Sequence, residues 1–453
     1  MSSAPPQPVP TPLRILISGA GIAGPALALH LLHLPPPLTS TITITIVERH
    51  PSLRNTGQQI DLRGHGIAAM RKLGTGIEDA VRARLVDEPG LRLLDSSNGR
   101  VWAYIASNKS GRGAQTFSSE WEIMRGDLCD VLYEACCREG GVRFLFGTSV
   151  EGLEQPGDGK GPVRVTLSDG SVGEYDLVVG CDGIGSRVRK AMKVGDGKGD
   201  GVVPVGMACA LYTIPPAEGD APTADWCHFP RRRSIMTRRD REDCLRVELS
   251  YAGDDAELKR ALKHGTVAEQ KEAWANIYRR DMLDAWAVRR VTDELFSPQA
   301  DDFYTQEFAQ VKINSWSEGR VVLVGDAAYC PAPLTGHGTS MAFIGAYVLA
   351  GEIARAGKAA QEEGVSPWDR LPDALAAYET TLRPFVKTVH DIPAERIVKF
   401  ILPESAWTIK SLHWAFRLFT VLRLDRLATL FVSDDKGSWQ LPDYPELSAP
   451  KNE

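Results

Sequence analysis

No unbroken apolar run in this chain approaches the roughly 18 residues that a membrane-spanning helix needs. The first residues, MSSAPPQPVPTP, have neither the basic flank nor the apolar centre of a secretory signal, and residues 1–12 are expected to form a disordered lead-in. An excess of positive charge is also missing: 52 Lys and Arg face 58 Asp and Glu, a formal net charge of −6. That balance argues against a nucleic-acid partner. The eight cysteines include no CxxC pair and no metal-ligand spacing, so they are read as reduced thiols of a cytoplasmic protein, with no metal expected. HExxH and Ser-His-Asp patterns are absent, and no internal repeat is visible. What remains is ordinary globular composition, 43% hydrophobic and 24% charged, over 453 residues, enough for two or three domains.

The organised part begins at LRILIS (13–18), a buried strand by pattern, followed by GAGIAG (19–24) and a helix over 25–34. PPPLTS breaks the helix, and TITITIVE (41–48) alternates β-branched residues as a strand does. This is a β-α-β unit, implying a parallel sheet with a ligand at the carboxyl ends of its strands. Helices are expected near 66–73 and 126–139, with strands at 142–146, 163–168 and 175–180 and a loop at 195–201. Strand-like stretches such as 246–251 and polar helices over 256–288 follow, before the doubly wound pattern returns at RVVLVGDAA (320–328). The fold class is therefore α/β: a Rossmann-like domain with a parallel sheet, interrupted by a mixed α+β domain, plus a C-terminal helical segment. The expected division is 13–200 with 313–395 for the discontinuous nucleotide domain, 201–312 for the inserted substrate domain, and 396–453 for a helix and tail. Part of the substrate sheet is expected near 90–120.

Gly19, Gly21 and Gly24 sit where a strand becomes a helix. The first permits the tight turn, the second lets backbone approach a pyrophosphate, and the third allows helix and strand to pack closely. Glu48 ends the next strand, placed to accept ribose hydroxyls, and an acidic residue there suits FAD or NAD better than a 2′-phosphorylated ribose. In GDAAYCPAPLTGHG (325–338), Asp326 projects from a strand end, Gly336 and Gly338 let backbone approach a flat ligand, and a helix follows over 339–354. A helix N-terminus there would stabilise negative charge on a reduced ring.

Taken with CDGIGSRVRK (181–190), these motifs stand in the order found in the single-component FAD-dependent aromatic hydroxylases of the para-hydroxybenzoate hydroxylase type. The chain resembles that family over about residues 13–395, and within it is most similar to the tetracycline-inactivating flavin monooxygenases and their fungal relatives. The resemblance implies FAD held by GAGIAG and Glu48, with Asp182 and Gly183 near the pyrophosphate and Asp326 on the ribitol. GQQIDLRG (57–64) resembles a family segment that places Asp61 on FAD, with Arg54 upstream on NADPH. EIMRGDL (122–128) resembles one whose arginine, here Arg125, binds FAD. Each of Arg54, Asp61 and Arg125 also has an ordinary surface or turn reading. Where the family has His after GDAA, this chain has Tyr329 and Cys330.

The implied activity is hydroxylation of an electron-rich aromatic or enolic small molecule through a flavin hydroperoxide, with NADPH or NADH as donor and O2 as co-substrate. The substrate would be a polyketide-type secondary metabolite, a tetracycline-like polycycle or a simple phenol. Another flavoenzyme chemistry, or a non-catalytic flavin-binding protein, is the alternative. No catalytic base is assigned; His228 is a candidate by position alone. The basic stretch RRRSIMTRRDR (231–241), read as a hairpin, admits a substrate anion, the NADPH 2′-phosphate, nucleic acid or plain solvent. The amphipathic stretch 396–432 is expected to pack on its own protein rather than on a membrane surface. Oligomeric state is left open.

Overall fold

The computed structural model describes residues 13–35, 38, 42–54, 57–74, 76–107, 120–156, 161–192, 200–422 and 438–447. The expected lead-in at 1–12, most of the loop at 195–201 and the end of the 396–432 stretch lie outside the described residues.

The β-α-β unit forms from Leu13–Ser18, helix Ala23–Leu32 and Ile42–Glu48. The two strands run parallel with Ile15 opposite Ile44 and Ile17 opposite Ile46. They lie inside a six-stranded sheet ordered Ser317–Glu318, Val321–Leu323, Leu177–Gly180, Leu13–Ser18, Ile42–Glu48, Val142–Phe146. Only the outermost pair is antiparallel. Buried on both faces, the central strands read as near-continuous Val, Ile and Leu. Helix Gly338–Glu363, longer than expected, packs against helix Ala23–Leu32.

A seven-stranded sheet forms the second layer, ordered Tyr304–Val311, Val202–Ile214, Cys244–Tyr251, Arg233–Arg241, Ala224–Phe229, Gly90–Leu94, Val101–Ala106. Its side chains alternate by the two-residue period of a strand. Ala210, Tyr212, Phe229 and Leu249 face helices Ala256–His264, Val267–Met282 and Val288–Glu294, where Trp274 and Tyr278 are fully buried. Cys209, Leu211, Trp226 and Glu248 face the other way, into a cavity shared with the six-stranded sheet.

Two expectations need correction. The strand placed at 175–180 is two: Val172–Tyr175 pairs in a small antiparallel sheet, while Leu177–Gly180 joins the parallel one. The stretch 231–241 is not a hairpin but a turn followed by a full strand, Arg233–Arg241, between two antiparallel neighbours. The polar helices expected over 256–288 are Ala256–His264 and Val267–Met282, separated at Gly265, and a third, Val288–Glu294, follows the Ala287 backbone at φ +58°.

Candidate flavin and substrate site

Glycines determine the first wall. Gly19 has φ +111°, and a Cβ there would sit 2.4 Å from the Cys181 carbonyl oxygen, so the loop after Leu13–Ser18 lies directly on the loop after Leu177–Gly180. A Cβ on Gly24 would come within 2.1 Å of the Gly19 carbonyl oxygen, which presses the helix start onto the turn. Gly21 is different: a Cβ there would meet nothing nearer than the Arg125 guanidinium at 3.4 Å, and the residue lines open cavity, as backbone that must admit a ligand does. Glu48 accepts one hydrogen bond from the Ala20 amide at 3.0 Å and another from the His50 amide at 3.0 Å, which fixes the strand end beside the turn.

The second wall is a two-stranded ladder. Gln59–Asp61 pairs antiparallel with Glu122–Met124, and the Arg125 amide donates to the Gln58 carbonyl at 3.0 Å. This brings GQQIDLRG and EIMRGDL together although 63 residues separate the paired Gln59 and Glu122 side chains. The Arg125 side chain lies across Gly57, where a Cβ would approach its Cδ to 3.1 Å. Its Nη1 is buried without a hydrogen-bond partner among the described residues. A buried guanidinium nitrogen facing a cavity and lacking a partner is a site for an anionic or carbonyl oxygen, and this is the strongest local sign that a flavin nucleotide fits here. Arg54 shares the cavity, its guanidinium 4.9 Å above the Tyr304 ring; burial, then the nearby Arg125 charge, lowers its pKa.

The third wall is the segment after Val321–Leu323. Gly325 takes φ +67°, turning the chain so that Asp326 heads a four-residue helix and opens to the cavity. Confinement by protein pushes the Asp326 carboxyl up, opposed by the Cys330 hydrogen bond and the Arg125 charge. Gly336 has φ +67° and lies against the Arg63 guanidinium, while Gly338 begins the long helix 3.8 Å (measured from an added Cβ) from the Asp326 carboxylate. Asp61 pairs with Arg63 at 2.5 Å rather than standing free. Asp182 lines the cavity, but its carboxylate caps the short helix Arg187–Met192: it accepts from Ser186 Oγ at 2.5 Å and the Arg187 amide at 2.8 Å.

These walls enclose one cavity of about 1200 Å³. Gly19, Gly21, Glu48, Arg54, Asp61, Arg125, Asp182, Gly183, Asp326, Gly336 and Gly338 all line it, and Gly24 lies behind as packing. Its far end is apolar, with Met207, Trp226, Phe308, Ile397 and Ile401.

Several readings change here. His228 does not line the cavity: it is buried under helix Ala406–Val421, with Nδ1 3.2 Å from His413 Nε2, and burial drops its pKa to about 3. Such an imidazole is a poor base without access to a ligand. The arginines of 231–241 are largely ion-paired: Arg233 with Asp281 at 2.7 Å, Arg238 with buried Glu88 at 3.4 Å, Arg241 with Asp127 at 3.4 Å. Tyr329 turns into the core, its hydroxyl 3.0 Å from that of Tyr378, and Cys330 is a buried thiol whose pKa burial raises well above its usual range. Sequence reasoning assigned no individual role to Arg63, Tyr304 or Arg238, although Arg63 lies inside GQQIDLRG and Arg238 inside the basic stretch 231–241.

The comparisons with known proteins agree with this geometry. Residues 13–389 match the FAD binding domain family. The FAD-dependent monooxygenase asL4 of Sarocladium schorii is 38% identical over 445 residues, covering 96% of this chain and 99% of that one. The flavin-dependent monooxygenase eupH of a Phoma species is 38% identical over 416 residues, covering 89% and 91%. Among solved structures, the tetracycline destructase Tet(51) superposes with a TM-score of 0.70 at 25% identity, covering 96% of this chain and all of that one. No helix among the described residues is long and apolar enough to cross a membrane. By the match over residues 13–389 and the 38% identity along almost the whole length of a curated relative, the chain belongs to the FAD binding domain family and is an FAD-dependent monooxygenase.

Proposed function

We propose that this monooxygenase consumes NAD(P)H and O2 to hydroxylate an apolar, electron-rich aromatic or enolic small molecule of polyketide or tetracycline-like type. The observation that carries the reading is the single cavity of about 1200 Å³, which runs from Gly19 and Gly21 past Arg125 and Asp326 to the apolar end at Trp226 and Phe308. That volume exceeds the ~300–1,000 Å³ of ordinary ligand sites, leaving room for a flavin nucleotide and a sizeable ring system. The likeness to a tetracycline destructase supports the tetracycline-like class, and the relatives named as monooxygenases support the reaction type. Bound FAD supplies the redox chemistry, accepting a hydride and activating O2 for transfer of one oxygen atom.

The roles proposed for the chain's own groups are binding, orientation and exclusion of water. The Gly19 and Gly21 backbone would cradle the pyrophosphate with Asp182 and Gly183 near it, and Glu48 would hold the ribose and Asp326 the ribitol. Asp61, held by Arg63, and Arg125 would fix the nucleotide. Gly336, Gly338 and the first turn of helix Gly338–Glu363 would face the ring, where unpaired amides favour negative charge. Arg54 would orient the nicotinamide donor. The inserted region 201–312 would supply the sheet face that the substrate meets, and Ile397 and Ile401 would close it against water.

Anaerobic stopped-flow mixing with NADPH and NADH, then with O2, over a panel of phenols and polyketides tests this. We expect flavin bleaching accelerated by a panel compound and 18O from labelled O2 in its product. A protein that carries FAD yet is reduced by neither donor would overturn the donor assignment, and product without label would overturn oxygen insertion.

A further inference from the structure

Among the described residues, helix Ala406–Val421 buries one of its faces, and on the other Trp414 meets a neighbouring ring, that of Trp102, edge-on at 5.7 Å. Ile409, Leu412 and His413 are buried against the seven-stranded sheet, and its N-terminus is closed by a capping box between Ser405 and Thr408. The opposite face is apolar and open: Trp407 is 75% exposed, Val421 70%, Trp414 58% and Leu418 57%. At 100° per residue these four positions fall within an arc of about 60°, a continuous ridge. Lys410 and Arg417, seven residues apart, run along its edge, and the Arg417 guanidinium lies 5.6 Å from the Trp414 ring. The helix carries no Asp or Glu. On the preceding helix, Ala394–Ile401, Phe400 is also exposed and is flanked by exposed Lys399 and Arg396.

We propose that this ridge docks on an anionic lipid surface. Tryptophan beside lysine and arginine on an exposed amphipathic helix is the composition that inserts shallowly at a headgroup boundary. Charge decides between a membrane and a second copy of the chain. A two-fold interface would place each ridge against itself, bringing Lys410 and Arg417 of one copy towards those of the other with no carboxylate on the helix to offset them. Anionic headgroups neutralise the same side chains while the tryptophans enter the acyl boundary. The chain as a whole is acidic, at −6, so the attraction is local to this face rather than a property of the surface at large. The location has a use: Ile397 and Ile401 line the cavity while Lys399 and Phe400, on the same helix, face outward, so the lipid would lie one helix away from the substrate chamber.

The test is flotation of the full-length, FAD-loaded protein with vesicles of phosphatidylcholine alone or with about 30% phosphatidylserine. We expect co-flotation with the phosphatidylserine vesicles only. The Lys410→Gln/Arg417→Gln variant should lose about 30-fold in partitioning, on the scale of ~1 kcal/mol for each basic residue near an anionic surface. Trp407→Ser/Trp414→Ser should lose at least as much, and flavin content, which reports folding, should be unchanged in both. Quenching of wild-type tryptophan emission by brominated phosphatidylserine vesicles gives the same answer without a variant, should either variant fold poorly. Absence of co-flotation and quenching, equal partitioning by the variants, or a solution dimer that Trp407→Ser/Trp414→Ser dissociates would each overturn the proposal.

Discussion

Arg125 and Asp326 bring opposite charges to one stretch of the cavity, and each is proposed to be completed by the bound flavin nucleotide. Arg125 has a buried nitrogen without a partner, and Asp326 has a carboxyl pushed up by confinement. A hydrogen bond to a charged group contributes about 1.5–3 kcal/mol. Arg125→Met and Asp326→Ala should therefore each weaken FAD binding by roughly 10- to 100-fold, read as flavin retained through desalting, and full FAD occupancy in either would refute that residue's assignment. Arg54 is proposed to act on the donor instead. Arg54→Ala should raise the NADPH requirement about tenfold or more while flavin content stays intact, since one charged contact is removed; unchanged kinetics would return it to a residue that merely stacks on Tyr304. At this scale the glycines and acids were legible because each occupies a stereochemical slot, such as the Gly24 position that admits no Cβ. Arg63 and Tyr304 were not, because nothing local in the sequence tells that Arg63 meets Gly336 or that Tyr304 lies under Arg54.

Periodicity carried the elements that hold their neighbours close in the chain. LRILIS and TITITIV announce a parallel pair, and helix Arg125–Glu139 follows its sequence pattern nearly to the residue. Of the seven-stranded sheet, the strand at 246–251 and a contribution from 90–120 were legible, but the pairing of its strands was not, for the opposite reason. Gly90–Leu94 pairs with Ala224–Phe229 across more than a hundred residues, and register over such a distance is set by packing rather than by any local signal. The arginines of 231–241 misled for a related reason: alternation along a strand sends Arg233 and Arg238 to separate carboxylates on opposite faces, whereas a turn would have grouped them. One element-level prediction follows from the buried His228–His413 contact that docks helix Ala406–Val421. His228 titrates near 3 when folded, against about 6.5 when unfolded, so the unfolded chain takes up the proton first. The stability this residue contributes is complete above pH 6.5 and is lost as the pH falls towards 3; by pH 5 the loss is about 2 kcal/mol. Denaturant titrations at pH 7 and pH 5 should show it, and His228→Gln should reduce the difference by about that amount, while His30, which burial also drops to about 3, keeps its own share. An identical slope in the variant would assign the pH dependence elsewhere.

For the molecule as a whole, the cavity is where distant parts of the chain meet: the 18–61 segment, the 122–125 ladder, the 181–187 and 326–342 loops and the seven-stranded sheet all contribute walls. The chain beyond the last helix also returns, Trp439 donating to the Thr381 carbonyl at 2.8 Å and Tyr444 to Glu352 at 2.7 Å, a tether that composition alone does not announce. A ligand bound among so many segments stabilises them together. FAD at about 100 times its dissociation constant should add about 2.7 kcal/mol, a rise of roughly 3 °C in Tm for a chain of this size, and a scan of apoprotein with and without FAD reads it directly. No change in Tm would mean that FAD does not bind the folded protein in preference to the unfolded chain.

The ladder between Gln59–Asp61 and Glu122–Met124 has a consequence for anyone recombining this scaffold with its relatives. Two stretches of sequence far apart in the chain are one mechanical part: slip either strand by a residue and Arg125 leaves Gly57 while Asp61 turns to the other face. A chimera that inherits one stretch from each parent inherits a mismatched joint, whereas one that takes both from the same parent carries the nucleotide cradle across intact.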